Sequence, residues 1–200
     1  ATGVSGIDLL SKTNTNQWLP IKSSYFFQPE NLEVSFLFNE TRKSNQNFEY
    51  RLYLPLYNTI DKLKISVLED SSFSWIRKDN SIPIVIYGTS ILQGCCVSRP
   101  TQSWSNIVQR HFNTPILNFG FSNSGRLEEE VVKLVIENEA KLYIIDCLPN
   151  CYEYEIDIIK KLVYRAISLI RKKWPATPIL LVDFAGVNYQ DVDDQTSQQI

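Results

Sequence analysis

Apolar and polar positions alternate along residues 1–80, with aromatics on the apolar phase, as in Phe48-Glu49-Tyr50-Arg51-Leu52-Tyr53-Leu54 and Leu63-Lys64-Ile65-Ser66-Val67. Successive side chains of a strand point to opposite faces, so a period of two predicts half-buried antiparallel strands. Pro55–Asn58 lies between the two runs and predicts a hairpin or a longer turn. From Ile82 the texture changes. Ile82–Tyr87, Pro115–Phe119, Leu142–Asp146 and Pro178–Asp183 are continuous apolar runs, suited to strands of a parallel sheet covered on both faces.

Helical spacing separates these runs. Leu127, Val131, Leu134 and Val135 follow an i, i+4, i+7, i+8 stripe, with Glu128, Glu129 and Glu130 expected in the first turn, where the helix dipole favours negative charge. Between Tyr152 and Trp174 a second stripe runs through Ile156, Ile159, Leu162, Val163, Ala166, Ile167 and Ile170. Arg171, Lys172 and Lys173 close it, and Pro175 stops it. The order β-α-β-α predicts an α/β layer fold with right-handed crossovers. Two domains are expected, an antiparallel β domain over 1–80 and an α/β domain over 81–200, with Gln190–Ile200 as a polar tail.

Charge and composition remove several function classes. Lys+Arg 20 against Asp+Glu 22 gives a net charge of -2, without a basic run that would neutralise a row of phosphates, so no nucleic-acid partner is expected. No apolar run approaches the roughly 20 residues of a membrane-spanning helix. No signal-peptide pattern precedes the first strand. Cys95, Cys96, Cys147 and Cys151 lack zinc-site spacing and have no histidine near them in sequence, so neither metal nor cofactor is expected. Two readings of these thiols stay open: buried free cysteines, or one disulfide across neighbouring loops.

Ligands of a parallel α/β sheet bind at the carboxyl ends of its strands, which directs attention to three loops. The first is Tyr87-Gly88-Thr89-Ser90, where a glycine permits a sharp turn and Ser90 can stand exposed. The second, Asn118-Phe119-Gly120-Phe121-Ser122-Asn123-Ser124-Gly125, opens a helix whose first N–H groups are free. The third is Asp146-Cys147-Leu148-Pro149-Asn150. Each loop taken alone reads more readily as a helix cap.

Taken in order, the three loops resemble the SGNH (GDSL-like) hydrolases. Gly88-Thr89-Ser90 is similar to the first block of that family, Asn118–Ser122 to the second and Leu148-Pro149-Asn150 to the third. Ser98-Arg99-Pro100 and Asp146–Asn150 resemble a branch of bacterial secreted esterases, and Gly6-Ile7-Asp8-Leu9-Leu10 resembles the Gly-x-Asp-Leu-Tyr signature of that branch's N-terminal β-sandwich. The resemblance implies a three-layer SGNH-type parallel sheet with helices on both faces, preceded by a β-sandwich.

It further implies acyl transfer to water. Ser90 would be the nucleophile, and its own N–H, the N–H of Asn123 and the side-chain amide of Asn150 would hold the oxyanion. Asn123 stands where the family has glycine, and asparagine is the non-glycine residue that best tolerates a left-handed backbone. The family's base and orienting acid come from a late Asp-x-x-His, which this sequence does not contain. His111, the one histidine, is expected at the amino ends of the strands, away from Ser90. These features, together with the missing initiator Met, lead to the expectation of a fragment, inactive or nearly so by itself. The implied substrate is a small-molecule or glycan ester, with acetyl groups on carbohydrate foremost. Alternatives are a non-catalytic glycan-binding relative and an acyltransferase that uses the same serine. A secreted or periplasmic location is expected from the branch, and a Cys96–Cys147 disulfide would accord with it.

Overall fold

The structure, a computed structural model, describes residues 3–21, 23–28, 33–38, 48–69, 71–77 and 79–183. Its N-terminal strands are antiparallel, as the alternation predicts. They are β1 (Asp8–Lys12), β2 (Trp18–Pro20), β3 (Ser23–Gln28), β4 (Glu33–Phe38) and β5 (Tyr50–Tyr53). β1 is the middle strand of a three-stranded sheet in the order β2-β1-β5, and β3 pairs with β4 in a separate two-stranded sheet.

The expected strand at Leu63–Val67 does not form. These residues have no regular structure, and Leu63, Ile65 and Val67 are exposed. Among the described residues no strand pairs with this segment, and a lone period-2 pattern has no hydrogen-bonded ladder to hold it. Pro55–Asn58 is accordingly not a hairpin turn. Leu56, Tyr57 and Asn58 instead donate their backbone N–H groups to Gly3, Val4 and Val4 carbonyls at 3.0, 3.3 and 3.1 Å.

The second half carries a four-stranded, wholly parallel sheet of β6 (Ile84–Thr89), β7 (Ile116–Phe121), β8 (Leu142–Asp146) and β9 (Ile179–Leu181), in the order β7-β6-β8-β9. Four helices connect the strands: α1 (Ser90–Gln93), α2 (Trp104–Phe112), α3 (Glu129–Val135) and α4 (Ile156–Lys173). One face of the sheet presents Val85, Tyr87, Tyr143 and Ile145 to Val132, Val135, Ala166 and Ile170 of α3 and α4. The other presents Ile86 and Ile144 to Leu92 and Trp104 from α1 and α2. This is the three-layer arrangement, with alternate residues of each strand feeding opposite cores. Burying a Leu92-sized side chain contributes about 2–3 kcal/mol.

Two local readings change. Leu127 precedes α3 and takes φ 64°, so it caps the core from a left-handed position, almost fully buried, and is not on the helix. Glu128 stands at the N-cap position, leaving Glu129 and Glu130 in the first turn. α4 ends where the basic cluster and Pro175 place it, with Trp174 Nε1 donating to Ile136 O at 2.9 Å. The polar tail at 190–200 lies outside the described residues. No helix among them is long and apolar enough to cross a membrane.

The antiparallel and parallel sheets are joined through Asp8, the aspartate of the Gly-x-Asp-Leu segment. Its buried carboxylate accepts hydrogen bonds from the N–H and hydroxyl of Thr101 at 3.0 and 2.8 Å, and Arg99 Nε lies 3.4 Å from its other oxygen. Arg110 reaches across from α2 to the Tyr53 hydroxyl at 3.4 Å.

Candidate active site

Strand register puts the three polar loops side by side. Gly88 of β6 is level with Gly120 of β7 and with Asp146 of β8, so Ser90, Ser122 and Cys147 all leave the sheet at its carboxyl edge. Ser90 is the first residue of α1. Thr89 caps this helix with its hydroxyl on the Ile91 N–H at 3.3 Å, and Gly94 ends it in a left-handed conformation. The Ser90 carbonyl accepts from the Gly94 and Cys95 N–H groups at 2.9 and 2.8 Å and from the Tyr57 hydroxyl at 3.3 Å. Burial pushes the Cys95 thiol up, and the Ser90 hydroxyl is one of its hydrogen-bonding neighbours.

The loop after β7 touches both of its neighbours. Ser122 N–H donates to Gln93 Oε1 at 3.1 Å, which ties the loop to α1, and the Asn150 side-chain amide donates to the Ser124 carbonyl, which ties it to the loop after β8. Gly125 has φ 71°, and a Cβ there would sit 2.2 Å from the Gly88 carbonyl oxygen. Gly120 is equally restricted, because its Cβ would lie 2.3 Å from Gln93 N. Both glycines serve close backbone approach.

Asn123 takes φ 55° at the tip of this loop, the left-handed conformation that asparagine tolerates. Among the described residues nothing accepts a hydrogen bond from its N–H. Asn150 is half-buried on a short turn, and its second amide hydrogen is left over after the bond to Ser124. Asn118, below the loop, is occupied by Leu92 O at 2.8 Å and Ser105 Oγ at 2.9 Å. The structure thus brings Ser90, Asn123 and Asn150 onto three contacting loops.

Glu128, expected as a dipole-stabilising helix residue, does something else. Its carboxylate accepts from the Tyr87 hydroxyl, from Ser124 Oγ at 2.8 Å and from the Arg126 N–H at 2.7 Å. Burial raises the pKa of this group, but the hydrogen bonds outweigh burial and hold it below the ordinary glutamate value. Desolvation and the bond to Glu128 push the Tyr87 hydroxyl far above the usual tyrosine range. Asp146, at the end of β8, is raised by burial. Sequence reasoning missed Glu128, Gln93 and Tyr57; their partners lie 2 to 41 positions away, and most of them are too distant for local spacing to mark.

His111 occupies the last turn of α2, exposed and edge-on to Phe112, and that helix leads into the amino end of β7. It stands at the opposite end of the sheet from Ser90. The four cysteines are free thiols: Cys147 and Cys151 are buried, Cys95 is half-buried and Cys96 is exposed with φ 61°. Among the described residues no cluster of His, Cys, Asp or Glu could hold a metal.

The profile of the GDSL-like lipase/acylhydrolase family matches residues 81–200. The chain belongs to the GDSL-like lipase/acylhydrolase family. A second profile, the N-terminus of SGNH-hydrolase-type esterases that bears the Gly-x-Asp-Leu-Tyr name, matches residues 1–73. Among solved structures, a protein from Bacteroides ovatus described as a GDSL-like lipase is 27% identical with a TM-score of 0.77, over 90% of this chain and 51% of that one. The present chain therefore spans about half the length of that GDSL-like relative. A family two carbohydrate esterase from Clostridium thermocellum shares the fold at 10% identity and a TM-score of 0.53, over 98% of this chain and 70% of that one. So does the salicylyl-acyltransferase SsfX3 from a tetracycline biosynthetic pathway, at 13% identity and 0.51, over 96% and 57%. No curated protein matches the chain.

Proposed function

We propose that this GDSL-like chain carries the nucleophile and oxyanion half of a serine esterase that removes small acyl groups, acetyl foremost, from carbohydrate or small-molecule esters. One observation carries the reading. The loop after β7 is hydrogen-bonded at Ser122 to the nucleophile helix and at Ser124 to Asn150, so the three candidate loops form one surface at the carboxyl edge of the sheet. Ser90 attacks the acyl carbonyl carbon, and the carbonyl electrons move onto oxygen. The Ser90 and Asn123 N–H groups with the free hydrogen of Asn150 meet that charge, a type of stabilisation worth about 100- to 1,000-fold per donor. Collapse of the intermediate expels the alcohol, and water repeats the sequence to release the acid.

The Ser90 proton needs a base, and His111 stands at the wrong end of the sheet to accept it. The 200 residues alone are therefore expected to turn over esters slowly or not at all, and the full-length gene product is the protein to assay. The glycan part of the reading is supported by the fold shared with a carbohydrate esterase. Fold is likewise shared with an acyltransferase, so alcohol acceptors belong beside water in the assay. Export rests on the resemblance to secreted esterases, and the free thiols add nothing to it.

The test is hydrolysis of p-nitrophenyl acetate and of acetylated oligosaccharides by the full-length gene product and its Ser90→Ala variant. Loss of turnover in the variant is expected. Equal rates would refute the assignment, and glycan binding without Ser90-dependent turnover would favour a non-catalytic relative.

A further inference from the structure

We infer that Gln93 is a positioning residue that couples the N-terminal segment at Leu56–Tyr57 to the oxyanion loop, so that this segment is a working part of the acyl site. The inference rests on the reading of Ser90 and Asn123 given above. Gln93 is the last residue of α1 and uses both ends of its side-chain amide. Its Oε1 accepts the Ser122 N–H at 3.1 Å, and its Nε2 donates to the Leu56 carbonyl at 3.3 Å. One amide thereby spans from the N-terminal segment to the residue immediately before the proposed donor Asn123.

Four further contacts make this bridge stiff. Leu56 N–H is held by the Gly3 carbonyl at 3.0 Å, so the acceptor of the Gln93 bond is itself anchored. Tyr57 hydroxyl donates to the Ser90 carbonyl at 3.3 Å, and its electrostatic neighbours include Ser122, Cys95 and Cys96. Gly120 lacks the side chain that would collide with the backbone of Gln93, and Leu56 Cδ1 packs where a side chain on Gly94 would be, 2.6 Å from its Cβ position. The N-terminal segment thus grips α1 near Ser90 through Tyr57 and near the oxyanion loop through Gln93.

The chemical consequence follows from where oxyanion donors act. A donor must sit within about 2.7–3.1 Å of the oxyanion, not of the ground-state carbonyl, so a small shift of the Ser122–Asn123 peptide is felt in turnover more than in substrate binding. A misplacement near 1 Å costs on the order of 100-fold. Gln93 itself does not touch the reacting atoms in this account.

The experiment uses the full-length gene product with p-nitrophenyl acetate, reading kcat and KM separately, and a thermal melt of each variant. Gln93→Met keeps the side-chain length and removes both hydrogen bonds; kcat is expected to fall by about 10- to 100-fold with KM within about twofold. Gln93→Glu keeps an acceptor for the Ser122 N–H but sets a carboxylate oxygen against the Leu56 carbonyl, so it breaks the bridge at its N-terminal end and is expected to lose kcat as the Met variant does. Should Gln93→Met fail to fold, Tyr57→Phe reads the same coupling, with a kcat loss of about threefold or more at unchanged KM. Unchanged kcat in Gln93→Met, full kcat in Gln93→Glu, or losses in both variants that only track their melting temperatures, overturns the inference while Ser90-dependent turnover of the parent stands. A parent without Ser90-dependent turnover overturns this inference and the proposed function together.

Discussion

Gly125→Ala is the substitution whose effect the backbone sets most directly. The residue has φ 71°, where an L-residue costs roughly 1–2 kcal/mol over glycine. Its new Cβ would lie 2.2 Å from Gly88 O and 2.8 Å from Gly88 C. Gly88 cannot retreat cheaply, because it is paired on one side with Gly120 and on the other with Asp146 in the middle of the parallel sheet. Overpacking of this kind adds about 1–3 kcal/mol, so the sum is about 2–5 kcal/mol. The displaced atoms are those that lead into Thr89 and Ser90, so the turnover of the full-length gene product should fall together with stability. Urea unfolding followed by circular dichroism, with the slope unchanged and the midpoint lowered, reads the first effect. A midpoint equivalent to less than about 0.5 kcal/mol of loss, the range of ordinary surface substitutions, would refute the close approach of the second loop to the nucleophile strand.

Three other expectations follow from named contacts. Glu128→Gln leaves the donors Tyr87, Ser124 and Arg126 facing one weaker acceptor and should cost about 1.5–3 kcal/mol at pH 7. Because the folded-state carboxylate is held below its ordinary value, its contribution is present above the unfolded glutamate pKa of about 4.3 and is lost as pH falls through the folded one. The gap between parent and variant in urea should therefore close towards low pH, and a gap that widens there would contradict the clamp. Asn150→Ala in the full-length gene product should lower kcat by about 100- to 1,000-fold with the far-ultraviolet spectrum unchanged; a loss below threefold removes Asn150 from the oxyanion site. A thiol reagent applied to the native chain should modify exposed Cys96 first and spare buried Cys147, whose thiol burial pushes far up, so that early labelling of Cys147 would refute the packing of β8.

The parallel half of the fold was legible because its signals are local and mutually consistent. Apolar runs at Leu142–Asp146 and around Ile82–Tyr87 became buried strands, and the stripe from Ile156 to Ile170 became α4, since a continuous core on both sheet faces rewards the same residues that the pattern marks. The antiparallel character of β1 to β5 was legible for the same reason, but Leu63–Val67 was not, because alternation marks what a strand would bury and not whether a neighbour exists to pair with it. Leu127 was misplaced onto the helix because its apolar spacing is right while its backbone is left-handed. At the site, turn chemistry alone left the loops of Ser90, Asn123 and Asn150 as helix caps, and only their order, through the family resemblance, suggested roles for these residues. The residues that hold them together were illegible: Gln93 and Tyr57 meet their partners only after the chain has folded, through bonds between positions 29 to 37 apart.

The role proposed for Ser90 is that of a nucleophile facing an assembled oxyanion site. Its most direct test is incubation of the full-length gene product with a fluorophosphonate, followed by peptide mass spectrometry. A single phosphonyl adduct on the Gly88–Arg99 segment, placed on Ser90 by fragmentation and absent from Ser90→Ala, is the predicted result; a protein left unmodified, or labelled elsewhere while Ser90 stays free, would contradict it.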